Sequence, residues 1–278
     1  MDTSQVDAYL HRIGAVRSEH PTVGALRELQ LRHLRTVPFE NLSIHLGEDI
    51  VLEERALHDK IVGSRRGGFC YEVNGLFAAL LTALGFEVQL LQARVFASGD
   101  LGIPYDHLAL GVTTADSTGS WLVDVGFGAH SHYPLDLTAR GDQTDPGGTF
   151  RLAEAQYGDL DVFKDGEPEF RLDPRPRVLA DFTAACWWHR TSPRSSFTRS
   201  LVCSRLTSEG RVTLSGRKLV TTVSGNRHER ELATDAEVLA AYRDHFGITL
   251  DHCPEPAPLP SPPPAGTGGG GAAGGRCG

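Results

Sequence analysis

At Gly85 the hydrophobic rhythm of the chain changes, and this change limits the fold more than any other feature. Before it, Val73, Leu76, Phe77, Leu80, Leu81 and Leu84 recur at the spacing of a helix with one buried face, and Gly85 caps its end. After it, Val88–Phe96, His107–Val112 and Ser120–Val125 read as strands, the last two joined by the polar turn segment Thr113–Gly119. Phe150–Leu152, Leu160–Phe163 and Phe170–Leu172 continue in short strand-like pieces divided by Gly, Pro and Asp. Helices first and a run of antiparallel strands second predict an α+β fold, with a helical bundle feeding a sheet that curls toward a barrel.

The remaining segments fit around that frame. Residues 1–86 are expected to form the helical bundle. It comprises Val6–Ile13, Thr22–Leu34 with Thr22 as N-cap, Leu57–Val62 and the helix after Gly68. Pro38 ends the second of these, and Phe39–Leu42 reads as a turn. Residues 87–200 make the β-barrel. Residues 201–253 make an α/β lid, with strands near Val202–Leu206, Val212–Leu214 and Lys218–Val223. A helix follows, opened by a Thr234/Glu237 capping box. In residues 254–278, fifteen of twenty-five are Pro or Gly, so a disordered tail is expected there.

Charge and cysteine usage narrow the function. A formal net charge of −8 argues against a nucleic-acid or anionic-membrane surface. No apolar run is long enough to span a bilayer, and Met1–Gln5 lacks the layout of a signal peptide, so a cytoplasmic location is expected. The five cysteines are scattered and odd in number with no C-x-x-C pair, which speaks against a disulfide framework or zinc ribbon. His130 and His132 form an H-x-H without a Cys or carboxylate at ligand spacing. They are read as solvated loop histidines, and no metal is expected.

Cys70 is different from the other four. It lies in Arg66-Gly67-Gly68-Phe69-Cys70-Tyr71-Glu72, at the start of the helix, where unpaired N–H groups and the helix dipole stabilise an anion. The thiolate is the nucleophilic form of cysteine, and it needs a base with an orienting partner. His107 and Asp124 flank a hairpin whose even-length loop gives an odd register sum. The two side chains then share a face, directly opposed or diagonal. Asp106, the immediate neighbour of His107 on an extended chain, should face the other way. Beyond Asp124, Gly126-Phe127-Gly128 offers a turn that a ligand's phosphates could approach.

Together these residues resemble the arylamine N-acetyltransferase family. The resemblance rests on Val37-Pro38-Phe39-Glu40-Asn41-Leu42, on the R-G-G-F-C-Y-E segment ending at Glu72, and on His107-Leu108. It rests also on Trp121-Leu122-Val123-Asp124-Val125-Gly126-Phe127-Gly128 and on Ser192–Phe197 with Leu201-Val202-Cys203, and it spans roughly residues 5–250. It implies a helical bundle, β-barrel and α/β lid around a cysteine-protease-like Cys-His-Asp core. It also implies two-step acyl transfer from acetyl-coenzyme A to an aromatic amine or hydrazine, as in xenobiotic metabolism. Cys70 would be the nucleophile, His107 the base and Asp124 its orienting partner. Backbone N–H groups from Phe69 to Tyr71 would stabilise the oxyanion. Gly126, Phe127 and Gly128 would meet the coenzyme, while Phe39, Tyr71, Phe127 and Phe197 would line the acceptor slot. The loop Ala129–Pro134 departs from the family pattern. Two other classes use related machinery: a macrolactam-forming amide synthase of the same fold, and a thiol hydrolase or transglutaminase-like enzyme.

Overall fold

The structure, a computed structural model, describes residues 1–97 and 99–256, so most of the expected Pro/Gly-rich tail lies outside the described residues. The chain opens with helices α1 (Thr3–Ile13) and α2 (Val23–Thr36). Asp2 and Gln5 form a capping box on α1, and Thr22 caps α2 by accepting from the Ala25 N–H. Val6, Tyr9, Leu10 and Ile13 of α1 meet Leu26 and Leu29 of α2 in one core with Leu76, Phe77, Leu80 and Leu81. Those last four belong to α5 (Cys70–Ala83), which is buried on nearly every side over its first three turns. A helix enclosed this way takes its stability from packing, and its position is fixed by its neighbours.

The segment read as a turn at Phe39–Leu42 is more ordered than expected. Phe39–Glu40 is a two-residue strand, β1, and Leu42–Leu46 is a short helix, α3. A further helix α4 (Glu54–His58) runs into a π-turn over 59–63 before α5. β1 escapes the sequence pattern because two residues carry no period; its partners lie far away, on Gly68 and on β11 (Cys203–Leu206).

Eight strands form a continuous antiparallel path. They are β2 (Glu87–Ala97), β4 (His107–Thr113), β5 (Ser120–Val123), β6 (Leu135–Asp136), β7 (Gln143–Asp145), β8 (Gly148–Glu154), β9 (Leu160–Lys164) and β10 (Glu167–Arg177). A small strand, β3 (Asp100–Leu101), pairs with β2. The order is β6-β5-β4-β2-β10-β9-β8-β7. The two edge strands are bridged by one side chain: Gln143 Oε1 accepts from the Asp136 N–H at 2.7 Å, and Gln143 Nε2 donates to the Asp136 carbonyl at 3.0 Å. The sheet is thus nearly closed around a core of Leu91, Ala109, Leu122, Phe150, Val162, Phe170 and Leu172.

From residue 178 the chain turns helical. Phe182, the N-cap of α6 (Thr183–Thr191), packs with Ala185 and Cys186 against Phe69 and Tyr71, and α7 (Ser196–Arg199) adds Phe197 to the same cluster. A second sheet then runs β1-β11-β12-β13-β14, with β12 (Gly210–Ser215), β13 (Lys218–Val223) and β14 (Asn226–Glu231). All six residues of β14 are exposed, so it has no alternation to read in the sequence. α8 (Asp235–Ala241) carries the expected Thr234/Glu237 capping box and covers this sheet. Among the described residues no helix is long and apolar enough to cross a membrane.

Candidate active site

Cys70 is the first residue of α5, so its own N–H and those of the next residues have no partner four positions back. Two glycines let the chain reach this point. A Cβ on Gly67 would lie 1.9 Å from the Pro38 carbonyl oxygen, and one on Gly68 would lie 2.7 Å from the Glu72 carboxylate. The V-P-F-E-N and R-G-G motifs are therefore one contact. Glu40 N–H donates to the Gly68 carbonyl at 3.0 Å, and the buried Glu40 carboxylate accepts from Arg66 Nε at 3.0 Å and from Gly67 N–H at 3.2 Å. Burial works against the Glu40 charge, but Lys60 and Arg66 hold its carboxyl below the usual range. Glu72, one turn into α5, accepts from the Phe69 N–H at 3.3 Å and pairs with Lys60 at 2.5 Å. The Phe69 N–H is thereby occupied, which narrows the expected set of oxyanion donors.

His107 opens β4, and Asp124 follows β5 directly. The register pairs Leu110 with Val123 and Gly111 with Leu122, an odd sum that makes His107 and Asp124 diagonal neighbours on one face. His107 Nε2 lies 2.6 Å from Asp124 Oδ2, with both residues buried. The other ring nitrogen is left for the Cys70 side chain, with which the ring also interacts. Burial disfavours a charged imidazole here, yet the Asp124 carboxylate and the Cys70 side chain override it and push His107 up to about 10. Burial likewise opposes the Asp124 charge, but His107, His130 and Asn74 keep its carboxyl below the usual range. Asp106 faces away as expected: its Oδ1 lies 3.0 Å from His189 Nε2.

Asn74 is the residue that sequence reasoning missed. It is fully buried on α5, one turn beyond Cys70. Its Nδ2 donates to the Leu108 carbonyl at 2.6 Å and to Asp124 Oδ1 at 2.9 Å, and its Oδ1 accepts from the Val125 N–H at 2.9 Å. The available signal was its spacing: i+4 from Cys70 puts a polar side chain on the same face of an otherwise apolar helix.

A cavity of about 760 Å³ opens onto this constellation, a volume suited to a small organic ligand. Cys70, His107, Gly126, Phe39, Phe127 and Phe197 all line it. Phe127 meets the His107 ring edge-on at 5.2 Å, and Phe39 and Phe197 stand 6.1 Å apart. Two anticipated pocket residues are not in the lining. Tyr71 is fully buried and donates its hydroxyl to the Tyr105 and Asp106 carbonyls at 2.7 and 3.0 Å. Gly128 lies outside the lining, its positive φ of 96° marking a turn residue.

Gly126 also departs from expectation. Its N–H already donates to Asp124 Oδ1 at 2.8 Å, so it cannot serve a phosphate. A Cβ there would lie 2.7 Å from the Cys70 Cα. His130 is not a solvated loop residue. His130 is buried among Phe127, Phe150 and Phe170, with Nδ1 2.6 Å from Glu169 Oε2, and His132 is half-buried. The apolar barrel interior draws the first ring inward, and Glu169, beside the register shift in β10, supplies its partner. Among the described residues no group of His, Cys, Asp or Glu is clustered as metal ligands would be.

Comparison with known proteins agrees with this arrangement. A family described as N-acetyltransferase matches residues 22–254. The arylamine N-acetyltransferase of Mycolicibacterium smegmatis is 36% identical over 87% of this chain and 91% of its own length. A pineal gland isozyme of the same name from Gallus gallus is 32% identical over 88% of this chain and 94% of its own. Among solved structures, the M. smegmatis enzyme superposes with a TM-score of 0.83 at 34% identity, covering 90% of this chain and 93% of that one. The Mycobacterium marinum enzyme in complex with CoA superposes with a TM-score of 0.80 at 31% identity, covering 87% and 92%. With likeness of this extent in both sequence and fold, the chain belongs to the arylamine N-acetyltransferase family of acyltransferases.

Proposed function

We propose that the chain transfers an acetyl group from acetyl-coenzyme A to an aromatic amine or hydrazine by a ping-pong route through a Cys70 thioester. The observation that carries this reading is the buried His107–Asp124 pair set against Cys70 at the floor of an aromatic-lined cavity. The raised affinity of His107 for a proton favours an imidazolium beside the Cys70 sulfur.

In the first step the Cys70 sulfur attacks the donor carbonyl, and the C–S bond to coenzyme A breaks. The N–H groups of Cys70 and Tyr71 face the developing oxyanion, since that of Phe69 is bonded to Glu72. Coenzyme A leaves as the thiol, taking the proton from His107. In the second step the amine attacks the Cys70 thioester, and neutral His107 accepts the amine proton as the sulfur leaves. Asp124 holds the imidazole in the working tautomer throughout. Phe39, Phe127 and Phe197 give a flat apolar slot for the aromatic acceptor. On this reading the helical part supplies the nucleophile, the barrel supplies base and orienter, and the C-terminal sheet and α8 form the lid. We place the chain in the cytoplasm, with small-molecule substrates and neither nucleic acid nor membrane as partner.

The test is free-thiol release from acetyl-coenzyme A across a panel of anilines and hydrazides, with intact-mass detection of one acetyl group on Cys70. Cys70→Ala and Cys70→Ser are expected to abolish both signals. Absence of an acetylated Cys70 in the wild type, with no thiol released, would refute the donor assignment and favour a carrier-bound acyl thioester. Hydrolysis outrunning transfer to added amine would favour a thiol hydrolase.

A further inference from the structure

The mouth of the cavity is cationic in a chain of formal net charge −8. Arg94, Arg194 and Arg199 all line it. Elsewhere on the surface arginines are commonly answered by carboxylates, as Arg17 is by Asp7, Arg32 by Glu28 and Arg217 by Asp235. Among the described residues none of the three rim arginines has a carboxylate within ion-pairing distance. The acidic residue in the lining, Asp106, is engaged by His189 at 3.0 Å and by the Val95 N–H at 3.2 Å. Two of the arginines are held in place through one N–H each. Arg94 Nε donates to the Gly102 carbonyl at 2.8 Å, and Arg199 Nε to the Ser195 carbonyl at 3.2 Å. Among the described residues their outer amino groups meet no protein acceptor. Three guanidinium groups lining one cavity without a paired carboxylate give it a positive charge that an anionic ligand would balance.

In the turn at Gly126–Gly128, the Gly126 N–H is bonded to Asp124 and Gly128 lies outside the lining. We infer that Arg94, Arg194 and Arg199 form a phosphate-binding rim that holds the acyl donor while its thioester reaches down to Cys70. The inference rests on the acetyl-coenzyme A reading above. Guanidinium groups pair with phosphate through two parallel N–H bonds, which fixes orientation as well as affinity. An aromatic amine bearing a carboxylate would offer the rim the same chemistry from the acceptor side, and the experiment separates the two sources.

The test compares wild type with Arg194→Gln/Arg199→Gln, two exposed positions whose loss should leave the melting temperature within about 2 °C. Acylation of Cys70 is measured with acetyl-coenzyme A and with p-nitrophenyl acetate, which has no phosphate. The variant is expected to raise KM for acetyl-coenzyme A by about ten-fold or more relative to its effect on p-nitrophenyl acetate, at little cost in kcat. Added salt should raise the wild-type KM for acetyl-coenzyme A more steeply than that of the variant. Equal effects on both donors would overturn the inference. So would an effect seen only on KM for 4-aminobenzoate and not for aniline, which would assign the rim to the acceptor. Wild-type enzyme acylated by p-nitrophenyl acetate but not by acetyl-coenzyme A would instead sink the donor reading itself, however the arginine variant behaves.

Discussion

Replacing Asn74 by alanine should damage the site without touching any of its three proposed reacting groups. The side chain is fully buried and makes three hydrogen bonds: to the Leu108 carbonyl, to the Asp124 carboxylate and from the Val125 N–H. A buried neutral hydrogen bond contributes about 1 kcal/mol net, and one to a carboxylate about 1.5–3 kcal/mol; a donor left unpaired in a dry site adds about 1–3 kcal/mol. These contributions overlap, so a loss of about 3–5 kcal/mol is expected for Asn74→Ala. In a chain of this size each kcal/mol moves Tm by about 2–4 °C, so the melt should fall by about 6–20 °C. Activity should fall separately. Asp124 would keep His107 on one oxygen but lose one of the two donors that fix the other, and the imidazole would sample unproductive orientations. A drop in kcat/KM of about 10- to 100-fold is expected, by analogy with the outer partners of ligating histidines. Asn74→Asp keeps the shape but sets a carboxylate against Asp124, so it should lower kcat/KM more than alanine does. Thermal melts and acetyl-coenzyme A turnover, run at temperatures where both proteins are folded, check each part. A lowered melt with undiminished kcat/KM in both variants would refute a role for Asn74 in positioning Asp124.

Gly126→Ala should lose most activity while keeping the fold. The added Cβ would press on the Cys70 Cα at 2.7 Å and on Asn74 Nδ2 at 2.8 Å, and relief of that overpacking costs about 1–3 kcal/mol and moves α5 away from the Asp124 turn. A near-normal rate of Cys70 acylation in this variant would count against that contact setting the geometry. Asp124→Asn should shift the alkaline limb of the kcat/KM profile downward, because His107 then loses the partner that lifts it toward 10. The same pair sets a stability window. His107 is raised when folded, so its contribution is complete below its unfolded value near 6.5 and is lost as pH rises through about 10. Between those limits the wild-type melt should fall more steeply with pH than that of Asp124→Asn, and parallel melts would refute the assignment.

The helical first part, the barrel strands and the final capped helix were legible because each repeats a pattern longer than one turn or one pleat. The hairpin register was legible too, since loop parity alone decides which residues share a face. Other features were hidden because their causes are non-local. β1 is two residues whose hydrogen-bond partners lie on Gly68 and on β11, and β14 is exposed along its whole length. His130 looked like a surface residue because nothing near it in sequence could pair with it. Its partner, Glu169, arrives from β10 across the barrel. The resemblance implied Tyr71 as a pocket residue, but one step along a helix from Cys70 turns a side chain by about 100°, and the Tyr71 side chain ends among Phe69, Tyr105 and Phe182.

The glycines of the site carry a more general point. In turns, glycine is usually chosen for positive φ, as at Gly128. Yet Gly67, Gly68 and Gly126 all lack a positive φ and are hemmed in: Gly67 by the Pro38 carbonyl, Gly68 by the Glu72 side chain of the helix it leads into, and Gly126 by the Cys70 Cα. Gly67 and Gly126 are sites of close approach between the segment that holds the thiol and those around it. Cys70 stands on a helix, and its proposed partners stand on the barrel, so the reacting distance is set by how tightly α5 docks. Asn74 ties the docked faces together with hydrogen bonds, Gly126 lets them touch, and the Glu40–Arg66 clamp fixes the chain just before the helix. A side chain at Gly67 or Gly126 would press on the neighbouring segment and move the thiol with its helix, leaving the His107–Asp124 bond intact. Such variants should therefore lose transfer while His107 still titrates as a histidine paired with a carboxylate, a combination that separates loss of docking from loss of the base.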